Sequence, residues 1–286
     1  MKKTRVIIVV LLFALLVGCS PRTPGLSQLQ LMPIPEEPPP AQVQHYLNGR
    51  PPAEEPGESQ EPSSDSIEIQ PVARSPFGEG ERLVALTFDD GPGRYTDRIL
   101  DILEEHGAAA TFFVLGYRIE GRSSIVERAV QIGSEVAGHT WDHPDLSTLT
   151  EEEIEQQIID SSEAIAQFAG ENPHIFRPPF GRTNATVRQV SQRLGYAIVN
   201  WTVDPRDWEH RDADHIYDHI MEHVQPGDII LMHDIYATTL EAVERVIPRL
   251  VEEGYRLVTV SELLLHLYGG LEPGVVYGRD YDVPMV

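Results

Sequence analysis

Seven short apolar runs most constrain what this chain can fold into: 83-LVALTF-88, 110-ATFFVLG-116, 134-SEVAGHT-140, 174-HIFRPPF-180, 196-YAIVNWTV-203, 228-DIILMH-233 and 256-RLVTV-260. Most are continuous rather than alternating, the pattern of parallel strands buried on both faces. Helical patterns with readable ends lie between them. Thr150 and Glu153 can form a capping box ahead of Ile154, Ile158, Ile165 and Phe168. Asn184 reads as an N-cap for 185–194, with Gly195 as the C-cap. The cap reading is preferred to the glycosylation sequon that Asn184 also opens. Further helices are expected over 97–106, 122–132, 212–223 and 238–253. Repeated strand–helix units predict an α/β fold, either a parallel barrel or an open doubly wound sheet. In both, functional side chains gather at the C-terminal ends of the strands.

The N-terminal part is built differently. Lys2, Lys3 and Arg5 precede an apolar run from Val6 to Val17, too short to span a bilayer comfortably and suited to a secretory signal. Leu16-Val17-Gly18-Cys19 resembles the bacterial lipoprotein signal, which implies lipidation of Cys19 after removal of 1–18 and a lipid-anchored, extracytoplasmic protein at the cell membrane. Cys19 is the only cysteine, so no intramolecular disulfide can form. Residues 20–78 hold thirteen of the 23 prolines. Stretches such as 51-PPAEEPGESQEPSSDS-66 lack the apolar groups that offset ordering entropy, so 19–78 reads as a disordered spacer. The folded domain is expected over 79–268, followed by a Gly-rich trailing tail, 269–286. The net charge is −23, which argues against nucleic acid or anionic lipid as a charge-driven partner.

Five polar clusters sit at predicted strand ends: Asp89-Asp90, His139 with His143, Arg177 to Gly181, Asp204 to Trp208, and His233-Asp234. The i,i+4 spacing of His139 and His143 lets two imidazoles face one ion. One aspartate of the pair can complete a mononuclear site, and the other can then act as base on water; a dyad sharing one proton is the competing reading. His215, His219 and His223 also repeat every four residues but lie mid-helix without a strand-end partner, and read as a solvated face. His106 reads as a helix-end residue favoured by the dipole.

Thr87-Phe88-Asp89-Asp90-Gly91, His139-Thr140-Trp141-Asp142-His143, Arg177-Pro178-Pro179-Phe180-Gly181, Asp204-Pro205-Arg206-Asp207-Trp208 and Leu231-Met232-His233 together resemble the five ordered motifs of the polysaccharide deacetylases, carbohydrate esterase family 4, with the NodB-homology domain. The resemblance spans about 80–265. It implies a distorted (β/α) barrel of about seven parallel strands and metal-dependent deacetylation. It implies that Asp90, His139 and His143 bind a divalent metal, usually zinc, with cobalt or another divalent ion as alternatives. It further implies Asp89 as general base, Arg177 orienting Asp89 and holding it ionised, and His233 as general acid paired with Asp207. Phe180 is expected to offer its backbone N–H to the oxyanion, and Trp208 and Leu231 to line the acetyl pocket. The stretches 143-HPDLS-147, 177-RPPFGRTNATVR-188 and 230-ILMHDIYATTLEAV-243 most resemble peptidoglycan N-acetylglucosamine deacetylases. The expected partner is therefore an acetylated polysaccharide, peptidoglycan first, acted on by a monomer. A chitooligosaccharide N-deacetylase, a xylan O-acetyl esterase and a non-catalytic wall-binding lipoprotein are the alternatives.

Overall fold

Each strand of the domain sorts its side chains alternately onto two sides, and that sorting builds the active-site floor. The computed structural model describes residues 77–279 except 79. The expected signal segment, Cys19 and all of the spacer before Phe77 lie outside the described residues. The strands are β1 (Arg82–Gly91), β2 (Ala110–Val114), β3 (Glu135–Gly138), β4 (Ile175–Phe176), β5 (Ala197–Val199), β6 (Ile229–His233), β7 (Tyr255–Leu257) and β8 (Val276–Tyr277). Their order is β6-β1-β2-β3-β4-β5-β8, with β7 beside the start of β1, and all pairings are parallel. Beyond β5 the chain bridges back to β6 through Val203 and Ile230. The sheet is therefore curled on itself, and the distorted barrel rather than the open sheet is observed.

Leu83, Ala85, Phe113, Ala137, Ile175, Ala197, Val199, Ile229 and Leu231 form one apolar cluster inside the curl. Their neighbours Val84, Leu86, Phe88, Phe112, Val136, Ile230 and Met232 belong to a second cluster on the helix side. A period of two along each strand produces this division. The outer cluster is covered by α1 (Thr96–Glu105), α2 (Ser123–Gln131), α6 (Ala213–His223) and α7 (Ala237–Glu252). A third cluster packs α3 (Glu151–Ala169) and α4 (Ala185–Leu194) on Phe176 and Ile198. Burying each large apolar side chain contributes about 1.5–3 kcal/mol before entropy is counted. The expected caps are present: Thr150 and Glu153 form the capping box, and Asn184 accepts from the Val187 N–H at 2.9 Å. The short turn of helix α5 (Asp207–His210) precedes α6, and His106 is the C-cap of α1.

Three expectations at the domain edges need correction. Residues 269–286 are not simply a trailing tail: Val276 and Tyr277 pair with β5, and the Asn200 N–H donates to Tyr277 O at 2.8 Å. Two residues leave too little periodicity to read as a strand. Residues 256–260 are not one strand either; β7 ends at Leu257, and a second capping box, Thr259 with Glu262, starts α8 (Val260–Tyr268). Val260, Leu263 and Leu264 of α8 join the interior cluster. Phe77, assigned to the spacer, packs on the same cluster and lies edge-on to His266.

Candidate active site

The inward rows that are apolar through the barrel turn polar at its C-terminal mouth. Leu83, Ala85 and Thr87 lead to Asp89; Ile175 leads to Arg177; Ile229 and Leu231 lead to His233. Asp89 and His233 are register partners on β1 and β6. By alternation Asp90 would face the helices. Instead the β1–β2 register jumps between Asp89 and Gly91, which makes Asp90 a bulge residue, at φ 70°. A bulge re-aims a side chain. Both carboxylates converge on one imidazole: Asp89 Oδ2 and Asp90 Oδ1 each lie 3.7 Å from His139 Nε2. Thr140, His143, Phe180 and Arg206 also hold left-handed φ values. Such non-glycine strain costs about 1–3 kcal/mol per residue and concentrates at functional sites.

Asp90, His139 and His143 offer ligand atoms that all lie within 4.8 Å of one another. His143 Nε2 is 3.5 Å from Asp90 Oδ1. His139 Nδ1 lies 2.8 Å from the Arg177 carbonyl, so donation there leaves Nε2 as a lone-pair donor to the cluster. Burial, with His143 close by, pushes His139 down to about 3, the neutral form that ligates metal. Asp90 Oδ1 is buried with no hydrogen-bond partner. A buried carboxylate oxygen facing two imidazole nitrogens fits a divalent cation, and two nitrogens with one oxygen suit the borderline first-row metals.

Arg177 is fully buried. Its Nη1 donates to Asp89 Oδ1 at 2.7 Å and to Thr87 Oγ1 at 2.8 Å; Nε and Nη2 donate to the Val199 and Asn200 carbonyls. The Phe113 ring lies 4.1 Å below the guanidinium carbon. Arg177 therefore orients Asp89. Burial pushes the Asp89 carboxyl above the usual range, with Arg177 and His233 opposing it. The expectation that Arg177 holds Asp89 ionised is thus only one of two opposed effects.

On the strand next to Asp89, His233 Nδ1 is 2.7 Å from Asp207 Oδ1. Asp207 also accepts from the His233 N–H at 2.8 Å and from Thr239 Oγ1 at 2.6 Å. Burial lowers the imidazole pKa, but Asp207 outweighs it with help from Asp90 and Asp89, and His233 is raised to about 10.

Phe180, at φ 62°, sits in a tight turn with its ring edge-on to His143, centroids 4.8 Å apart. Trp208 is half-buried on α5, its N–H donating to Asp207 Oδ1. Leu231 is buried among the interior residues, two positions before His233. His215, His219 and His223 line one side of α6 and stack in sequence with His210 at its start. They are not among the groups that could hold a metal. Sequence reading gave no role to Asp234 or Tyr236. Asp234 is buried, bonded to Thr96 Oγ1, and raised to about 7, chiefly by burial. The Tyr236 ring lies 5.8 Å from that of His233, under the Arg211 guanidinium. Their adjacency to His233 was the available signal.

Residues 78–199 match the family described as polysaccharide deacetylase. The chain is 39% identical to a chitooligosaccharide deacetylase of Sinorhizobium fredii over 65% of its own length and 93% of that protein. It is 36% identical to the peptidoglycan-N-acetylglucosamine deacetylase PgdA of Listeria monocytogenes over 79% of this chain, but spans only 46% of that longer relative. The solved structure of the peptidoglycan deacetylase PdaC from Bacillus subtilis superposes with a TM-score of 0.62 at 39% identity, covering 64% of this chain and 90% of that one.

Proposed function

This chain belongs to the polysaccharide deacetylase family, and from that premise we propose that it is a metal-dependent hydrolase removing N-acetyl groups from N-acetylglucosamine of peptidoglycan, with release of acetate. The observation that carries the reading is the gathering of two proton carriers at one ligand set. Asp89, held by Arg177, lies 3.7 Å from His139 Nε2 beside Asp90 and His143, and His233, held by Asp207, is the register partner of Asp89 on the next strand.

Asp90, His139 and His143 would hold a divalent cation, zinc in this reading, which would supply polarisation of the acetyl carbonyl and a lowered pKa of water. Asp89, raised by burial, is the stronger base for it and takes the proton of the attacking water. Arg177 keeps that carboxylate aimed, since three further hydrogen bonds, to Thr87, Val199 and Asn200, hold its guanidinium. His233, kept protonated by Asp207, delivers a proton to the departing amine nitrogen. The Phe180 N–H opposes charge on the carbonyl oxygen, a contribution of about 100- to 1,000-fold where such donors have been removed. Trp208 and Leu231 shape the acetyl pocket. The lipoprotein signal at Cys19 supports an extracytoplasmic, membrane-anchored enzyme working as a monomer on the wall.

The chitooligosaccharide reading is favoured by the Sinorhizobium relative. The full-length chain in detergent, supplied with zinc, is to be given purified peptidoglycan, chitotetraose and acetylated xylan. Acetate from peptidoglycan supports the proposal. Release from chitotetraose alone moves the substrate to chitin-type glycans, and release from xylan alone to O-esters. Silence on all three leaves the non-catalytic wall-binding reading.

A further inference from the structure

On the outer helices Arg98, Arg128, Arg193 and Arg249 each pair with carboxylates. Three arginines that follow strand ends lie over tyrosines: Arg94 over Tyr95 at 5.8 Å, Arg118 over Tyr117 at 5.5 Å, and Arg211 over Tyr236 at 3.3 Å. Arg118 is buried and Arg94 stacks loosely. Arg211 is both exposed and closely stacked.

Arg211 is held in place at three points. Its backbone has a left-handed φ of 49°, its Nε donates to the Trp208 carbonyl at 2.8 Å, and its flat face lies on Tyr236. Tyr236 in turn packs 5.8 Å from His233. Of the nearby carboxylates, Asp212 accepts from the Asp214 and His215 N–H groups and Asp214 pairs with Arg245, while Glu241 lines the same cavity without an ion pair to Arg211. The Nη groups thus remain as a planar fork of donors beside the acid that protonates the leaving amine. Such a fork matches a carboxylate in a bidentate manner.

We propose that Arg211, on its Tyr236 platform, is the subsite for a carboxylate borne by the glycan, one or two sugars from the acetamide being cleaved. This deepens the peptidoglycan reading and rests on it. Peptidoglycan carries stem-peptide carboxylates and, where the peptide has been removed, free lactyl carboxylates; chitin and unsubstituted xylan backbones carry none. The chain itself has a net charge of −23 and repels a polyanion at long range. At physiological salt that repulsion fades beyond about 8 Å, so a local unpaired arginine decides what binds at the mouth.

Two oligosaccharides with the same β-1,4 backbone test this. Chitotetraose is neutral; the tetrasaccharide of alternating N-acetylglucosamine and N-acetylmuramic acid carries free lactyl carboxylates. The full-length protein is expected to show the higher kcat/KM on the muramic tetrasaccharide. Arg211→Ala should lower that ratio of kcat/KM values about tenfold or more, mainly through KM, and Arg211→Lys should restore part of it. Added salt should erode the preference in the wild type and not in Arg211→Ala. Equal losses on both substrates would make Arg211 a clasp for Tyr236 and overturn the proposal, as would an unchanged ratio. Affinities measured on Asp89→Asn, with and without Arg211→Ala, separate the two readings. Absent turnover with Arg211-dependent binding of the anionic oligomer ends the deacetylase reading and keeps this one. Binding indifferent to Arg211 ends this one alone.

Discussion

His233 and Asp207 are joined twice. The imidazole Nδ1 lies 2.7 Å from Asp207 Oδ1, and the His233 backbone N–H donates to Oδ2 at 2.8 Å. One carboxylate therefore fixes both the ring and the peptide that carries it. Donation from Nδ1 leaves the Nε2 proton for the cavity.

In the proposed role of His233 as acid, that pairing sets a pH limit on activity. His233 is raised to about 10, so the acid is present at neutral pH and is lost as pH rises through that value. Asp207→Asn removes the attraction and keeps the burial, so the pKa falls. The alkaline limb of kcat/KM should move to lower pH, with kcat near neutrality down about 100-fold or more. Stability follows the same sign. The contribution is complete below the ordinary histidine pKa of about 6.5 and disappears as pH rises through about 10. An alkaline limb that stays in place in Asp207→Asn would show that His233 is not the titrating acid.

Arg177→Met tests the opposite limb. Asp89 is raised by burial while Arg177 pulls it down; removing the guanidinium leaves burial less opposed. The acid limb should shift to higher pH. Breaking a buried pair also costs about 3–5 kcal/mol, read in urea unfolding. Arg177→Lys keeps the charge but cannot reach Thr87, Val199 and Asn200 together, so it should fall between wild type and Arg177→Met.

The metal cluster gives a third expectation. Chelation should stop acetate release and added zinc should restore it. His143→Ala leaves Asp90 and His139 as ligands, and should lower metal retention after dialysis by more than about 100-fold, judged against outer-shell losses of 10- to 100-fold. Atomic absorption on the purified variants measures this. Full retention would place the ion elsewhere.

The legible part of the site was its set of strand ends. Continuous apolar runs gave the strands, and the polar residues that closed them are the ones the barrel brings together. Alternation alone would have sent Asp90 to the helix side; the bulge that turns it inward leaves no mark beyond Gly91-Pro92-Gly93. Tyr236 and Arg211 escaped notice because each sits in a loop whose partner is distant in sequence. β8 was missed because its pairing with β5 depends on backbone contacts rather than on a pattern of side chains.

Gly91 is a sharper test of the turn after the aspartates. A Cβ there would lie 2.4 Å from Asp234 Oδ2 and 2.8 Å from Oδ1. Asp234 is buried and tied to Thr96, so it cannot swing away freely. Gly91→Ala should cost about 1–3 kcal/mol and reduce kcat by moving Asp89 and Asp90. Gly91→Ala combined with Asp234→Ser should recover stability. No recovery would mean that the clash lies in the backbone.

Gly278 probes the last strand. It has φ 85°, and a Cβ would meet the Asn200 and Trp201 backbone at 2.9 Å. The Asn200 carbonyl accepts from Arg177, so displacing β8 should reach the base. Gly278→Val should cost about 1–2 kcal/mol for the left-handed backbone alone and lower kcat with little change in metal content. Activity equal to wild type would confine β8 to a passive role.

The brace from β8 also imposes a chronology. Every residue from Asp89 to His233 is synthesised before Tyr277, and Asn200 N–H has its strand partner only once Tyr277 arrives. A chain emerging from its N-terminal end thus carries all its ligands and proton carriers while the support behind Arg177 is still missing. The backing of Asn200 is the last of these contacts to form, made when a strand of two residues pairs with β5 behind side chains already in place.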